Sequence, residues 1–251
     1  MKRLAIFALV FLSALRFPQS GFAESPPESF LHPRPAAAFP FAFWKADAAG
    51  ATPTPSASPS ASPNTFVATY SSDGDTNGIL TFAGKNFDAG GSWTNPHTAG
   101  YVVAVRSSDE TGTATHIVNH AVENTHTSNV ANSWIAIDLG SPRSAVLDKY
   151  SIRIRSGADP RAIRNWKLQG TNSTASNSIS HLAAATWTDI DVRVADTTMA
   201  NTGSTWVTYT ITGTPGGYRW IRILQNGLNG GAVPDNYFTV SEIELYGTLS
   251  Y

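Results

Sequence analysis

From Ser133 the chain alternates in hydrophobicity, so that Ile135, Ile137 and Leu139 fall on one face of an extended segment and Trp134, Ala136 and Asp138 on the other, until Gly140 ends it. Two later stretches are built the same way: 218–224 places Ile221 and Ile223 on one face, and 241–247 places Ile243 and Leu245. These three strands are the predicted spine of the fold. Runs rich in β-branched and aromatic residues predict further strands at 79–82, 101–105, 150–155, 166–170, 190–194 and 206–211. Glycine and Asx turn signals separate them, among them Asp73-Gly74, Asn77-Gly78, Gly216-Gly217 and Asn226-Gly227. No helical periodicity persists beyond about three turns, the usual helix length, so the pattern predicts an all-β sandwich. Asp138, on the face opposite the isoleucines, is expected to pair with an arginine such as Arg219.

The first 65 residues follow a different pattern. Lys2 and Arg3 precede an apolar run at 4–12 that is too short to span a bilayer, and Gly21-Phe22-Ala23 offers small residues for cleavage. Residues 1–23 are read as a signal peptide, since Arg16 and Pro18 interrupt the alternative of an uncleaved anchor. Residues 24–65, rich in Pro, Ser, Thr and Ala, are read as a disordered spacer. Its aromatic cluster, Phe39 to Trp44, is either a docking element or a sticky piece of linker. The remaining 66–251 form one globular domain, long enough to bury its own core. The chain has no cysteine, so neither disulfides nor a lipidated cysteine contribute. The expected location is secreted or extracellular, and not as an integral membrane protein. A net charge of −1 argues against a nucleic-acid partner.

Five short motifs occur in a telling order: Ala121-Val122-Glu123-Asn124-Thr125, then 132–140, then Arg164-Asn165-Trp166-Lys167-Leu168-Gln169-Gly170, then 218–223, then Glu242-Ile243-Glu244-Leu245-Tyr246-Gly247. Together they resemble the coagulation factor 5/8 type C, or discoidin, domain. Asp75-Thr76-Asn77-Gly78-Ile79-Leu80 followed by Trp93-Thr94-Asn95-Pro96-His97 resembles more narrowly the variant found in HECT-type ubiquitin ligases and BTB proteins. The likeness covers roughly 66–249. It implies a galactose-binding-like jelly-roll β-sandwich whose ligand, a sugar, an anionic lipid or a protein, meets loops at one end. It also implies a structural calcium ion where the loop before the central strand meets the C-terminal carboxylate, at Glu123, Thr127 and Glu242.

Candidate chemistry is sparse. His116, His120 and His126 have the spacing of the metzincin zinc motif, but Ile117 stands where the general-base glutamate belongs and Glu123 where the chain must turn at glycine. These histidines are therefore expected on loops or rims. For ligand recognition, Trp93, Asn95 and His97 combine a stacking ring, an amide and an imidazole, and Asn226 and Asn229 place amides on a glycine-rich tip. An aromatic platform beside such groups complements the apolar face and hydroxyl ring of a pyranose. The alternative for Trp93 is that it closes the end of the barrel as core. Between Arg143 and Lys167 the charge is mostly basic, with Arg153 and Arg155 on one strand face. This is either a patch for anionic glycans or lipids, or a solvated sheet face neutralised by Asp189 and Asp191, and the second is favoured. There is no nucleophile elbow, no cysteine nucleophile and no phosphate-cradling loop. The expectation is a secreted, non-catalytic binding module whose partner is a glycan or glycoprotein, with protein–protein adhesion as the alternative and a metal-dependent hydrolase ranked third.

Overall fold

The structure is a computed structural model, and it describes residues 63–156, 161–173, 176–199 and 203–251. The predicted signal peptide and nearly all of the predicted spacer, with its aromatic cluster, lie outside the described residues. The described residues form two antiparallel sheets packed as a jelly-roll sandwich. One has the order β1-β9-β4-β7, from β1 (Thr65–Ala68), β9 (Val240–Ser250), β4 (Ser144–Ile154) and β7 (Trp206–Thr210). The other has the order β2-β3-β8-β5-β6, from β2 (Val103–Arg106), β3 (Trp134–Asp138), β8 (Trp220–Gln225), β5 (Trp166–Thr171) and β6 (Thr188–Arg193).

The predicted alternation builds the core. Ile135 lies opposite Ile223 and Ile137 opposite Ile221. With Leu168 they meet Tyr150, Ile152, Ile243 and Leu245 from the other sheet in one buried cluster. The predicted spine is divided between the layers: β3 and β8 are neighbours, whereas β9 lies in the facing sheet between β1 and β4. Periodicity reveals which face a strand buries but not which strand it pairs with. β9 also runs past Gly247, whose φ of 130° and whose approach to the Val146 carbonyl (2.2 Å from a hypothetical Cβ) exclude any side chain there.

Both faces of β3 are buried. Trp134 and Ala136 form a second, smaller cluster with Trp220 and Leu182, beneath the short helix α2 (Ile179–Ala184). On this covered face the Arg222 guanidinium donates to Gln169 Oε1 at 2.9 and 2.6 Å and lies over the Trp187 ring at 4.2 Å. The expected ion pair is also present: Arg219 grips Asp138 through two bonds of 2.6 Å.

One predicted strand is a helix. Residues 79–82 belong to α1 (Ile79–Gly84), all six of whose residues are buried. Its first-turn amides, which have no intrahelical partners, are satisfied from β9: Glu244 accepts from Leu80 N at 2.8 Å, Thr81 N at 3.0 Å and Thr81 Oγ1 at 2.7 Å. A carboxylate more than 160 residues away decides the conformation of this run, and a short apolar run alone does not separate strand from helix.

Candidate functional site

Strand pairing assembles the site before any loop contributes. On β9, Glu242, Glu244 and Tyr246 alternate with the core residues Ile243 and Leu245, so they share the outer face of the four-stranded sheet. Arg153 on β4 lies directly opposite Glu242 on one side and opposite Trp206 of β7 on the other. Directly opposed residues share a face. Carboxylate, guanidinium and indole therefore form one row across three strands.

Residues 71–77 wall this row. The Asp75 carboxylate collects Ser71 N at 2.7 Å, Ser72 N at 3.2 Å and Asn77 N at 3.1 Å, and receives the Tyr246 hydroxyl at 3.0 Å. Burial works to raise its pKa, but the amides of Ser71, Asn77 and Ser72 hold it below the ordinary value. Gly74, at φ 73°, brings backbone against the indole edge of Trp206, 3.0 Å from where its Cβ would stand. Between this segment and the sheet lies a cleft of about 200 Å³, lined by Gly74, His120, Arg153, Trp206 and Glu242 among others.

Glu242 is 2 % exposed, and its Oε1 has no hydrogen-bond partner. Its Oε2 stands 3.6 Å from Arg153 Nη1. Burial pushes its carboxyl up to about 8, against the pull of the His120 amide and Arg153 and with a further push from Glu244. Arg153 is itself positioned, donating from Nε to the Ser204 carbonyl at 3.3 Å with its guanidinium 5.6 Å from the Trp206 ring centre. Glu244 is buried too, which pushes it up to about 7 despite four donors from Leu80, Thr81 and Leu245. His120 bonds Thr81 Oγ1 through Nε2 at 3.0 Å and stacks on Trp93 at 4.3 Å. Burial, with help from Lys85, lowers its pKa.

The sequence-predicted ligand residues are dispersed by comparison. Trp93 is 37 % exposed, with one ring face on His120. Asn95 shapes its own turn, donating to the Thr115 carbonyl and accepting from His97 N and Thr98 N. His97 Nδ1 accepts from Ala104 N at 2.9 Å, and burial lowers its pKa. Asn229 is buried; it donates to Asp235 Oδ1 and the Tyr237 carbonyl and accepts from Gly231 N and Asp235 N. Of the set, the Trp93 ring and the Asn226 side chain are the groups that face solvent. Asn, His and aromatic residues in turn-rich segments serve the turn as readily as a ligand.

The implied calcium set does not converge. Glu123 accepts from Asn119 Nδ2 at 3.0 Å. The Thr127 hydroxyl accepts from Phe238 N at 3.1 Å and donates to the Ser128 carbonyl at 3.2 Å. Glu242 faces a guanidinium. Among the described residues no group of three or more His, Asp or Glu side chains is placed to hold a metal ion, and these donors do not fit calcium, which takes roughly six to eight oxygens. The three histidines also separate: His120 sits on Trp93, His126 packs edge-on to Tyr237 at 4.9 Å, and His116 lies beside Gly112.

The basic run is partly paired with carboxylates and partly packed on rings and carbonyls. Arg143 lies over the Phe87 ring at 3.7 Å, Lys167 pairs with Asp189 at 2.8 Å, and Arg161 pairs with Asp235 at 3.4 Å. Asp191 takes Arg193 and the Tyr150 hydroxyl, each at 2.7 Å. Arg153 and Arg155 do not point together: β4 ends at Ile154, and Arg155 turns inward to Asn124 at 2.7 Å.

No family profile matches the chain. Over 190 residues, 73 % of its length, it is 32 % identical to the E3 ubiquitin-protein ligase Ufd4 of Drosophila melanogaster. Over 183 residues, 71 % of its length, it is 31 % identical to the E3 ubiquitin-protein ligase hecd-1 of Caenorhabditis elegans. A BTB/POZ domain-containing protein of Arabidopsis thaliana is 28 % identical over 193 residues, 71 % of the chain. The chain spans only 6 % of the length of each ligase and 22 % of the plant protein. The likeness to the HECT-ligase and BTB variant read from residues 75–97 is thus found across most of the domain. Among solved structures, the family 32 CBM from C. perfringens NanJ in complex with galactose is 14 % identical, with 59 % of this chain and 94 % of that one covered at a TM-score of 0.43. A fucolectin from Morone saxatilis is 18 % identical, with 59 % and 47 % covered and a TM-score of 0.43.

Proposed function

We propose that the domain is a non-catalytic binding module that takes carbohydrate in the cleft between residues 71–77 and the row Glu242, Arg153, Trp206. The observation that carries this reading is the Glu242 Oε1 atom, buried and without a donor, at the wall of a cleft. Burying such an oxygen unpaired costs about 1–3 kcal/mol, and a ligand hydroxyl would supply the missing hydrogen. The adjacent guanidinium donates to a neighbouring hydroxyl oxygen, and the indole offers an apolar surface to ring C–H groups. Donor, acceptor and aromatic wall within one row suit a hydroxyl-rich ring. Hydrolysis is a poorer fit, because glycosidases need two carboxyl groups facing the scissile bond. Here Glu244 is committed to α1 and to its own strand, and Asp75 to the amides of 71–77 and the Tyr246 hydroxyl.

A secreted location fits this reading and is supported by Lys2, Arg3 and the apolar run at 4–12. A protein partner is the second reading, favoured by the similarity to segments of ubiquitin ligases. The test is a glycan panel probed with the native protein and with Glu242→Gln and Trp206→Ala. At least one sugar class is expected to bind natively, and above pH 8, where Glu242 is ionised, the glutamine variant is expected to bind it at least about tenfold more weakly, the loss of one hydrogen bond to a charged group. Native protein that binds no sugar but captures a defined protein through the same residues would favour the second reading.

A further inference from the structure

We propose that Arg153 is a built-in cation beside Glu242, one of the three residues to which the family resemblance assigns calcium, and that the site is stable and binds its ligand without a metal. The half concerning the ligand rests on the carbohydrate reading above, whereas the half concerning the metal does not. A buried carboxylate needs a counter-charge or a proton. When ionised, Glu242 takes its counter-charge from its cross-strand neighbour, because the β4–β9 register sets Arg153 opposite it with Nη1 at 3.6 Å. The guanidinium is fixed at its base by the Ser204 carbonyl and lies over Trp206, so its position is determined by the sheet and not by the ligand. A divalent ion beside Glu242 would have to displace or tolerate this positive group.

The other expected calcium ligands cannot compensate. The Thr127 hydroxyl is bonded on both sides within the loop that meets Phe238, and the Glu123 carboxylate is held by Asn119. A carboxylate and a hydroxyl that already have hydrogen-bond partners, with a second carboxylate whose Oε2 faces a cation, make a poor cage for a hard ion that prefers many oxygens. A guanidinium does part of what a metal would do for a hydroxyl-rich ligand. It presents several N–H donors in a fixed fork to oxygen lone pairs, while Glu242 Oε1 beside it accepts the hydroxyl hydrogen. Together they are complementary to two adjacent hydroxyls on one ring.

The experiment combines thermal unfolding with a glycan panel, each in calcium and in chelator, for the native protein, Arg153→Lys, Arg153→Ala and the double variant Arg153→Ala with Glu242→Gln. The native midpoint is expected to be the same in calcium and chelator, as is sugar binding. At pH 9, where Glu242 is ionised, Arg153→Ala should lower the midpoint, and adding Glu242→Gln should restore part of the loss by removing the unpaired carboxylate. Arg153→Lys should keep most of the midpoint and lose about tenfold or more in sugar affinity, because an ammonium keeps the charge without the fork. A calcium-dependent rise in the native midpoint, or sugar binding that chelator abolishes, would overturn the built-in cation. Absence of sugar binding with a metal-independent midpoint would uphold the metal half and overturn the carbohydrate reading alone.

Discussion

At the scale of the residue, Glu242 joins stability to pH. Its folded carboxyl titrates near 8 instead of 4.5, so between these values the folded protein holds a proton that the unfolded chain has released. A raised folded pKa contributes stability below the unfolded value and loses it as pH rises through the folded one. Denaturant unfolding from pH 5 to 9 should therefore show stability falling with pH, and Glu242→Gln should flatten the fall; an unchanged slope in the variant would refute the assignment. Asp138→Ala should cost about 1–2 kcal/mol, less than a fully buried charged bond because Arg219 retains solvent contact, and should leave sugar affinity unchanged. The Asp138–Arg219 pair was legible in the sequence because both residues sit on readable strands. The Glu242–Arg153–Trp206 row was not, since it depends on the register of three strands distant in the chain. Read singly, Glu242 and Glu244 look like solvated outward positions, and they are buried by segments distant in the chain, 71–85 and His120 among them.

At the scale of the element, α1 shows how a tertiary contact overrides local pattern. Ile79 to Phe82 carry no helix signature, and the helix exists where Glu244 receives its first amides. Glu244→Ala would leave those amides and the Thr81 hydroxyl without their partner in a buried setting. The expected cost is about 3 kcal/mol or more, with faster amide exchange across 79–84 than elsewhere in the sandwich. Equal protection of α1 in variant and native protein would show that the helix holds by other means. Glu244→Gln keeps acceptor capacity at one position only and should fall between the two. Turn-forming residues show the converse limit. Asn95, His97 and Asn229 have the right groups for a ligand, yet their bonds go to neighbouring backbone and to a carboxylate of the fold, and composition cannot separate the two uses.

At the scale of the whole molecule, the sandwich was legible because both layers follow period-two alternation, and β3, β8 and β9 lie where that alternation is strongest. The location of the site was less legible. Loops at one end of the barrel concentrate aromatic and amide groups, whereas the cleft lies on the outer face of the four-stranded sheet. Its floor is strand and its wall is the segment held by Asp75. The central claim is therefore positional, and tryptophan reports on it directly: Trp206 lines the cleft, while Trp93 marks the loop. The most direct measurement is a ¹⁵N-resolved spectrum of the indole N–H groups during titration with a sugar that binds. The account predicts that the Trp206 resonance moves with saturation while Trp93 stays in place. A spectrum in which Trp93 moves and Trp206 does not would contradict it.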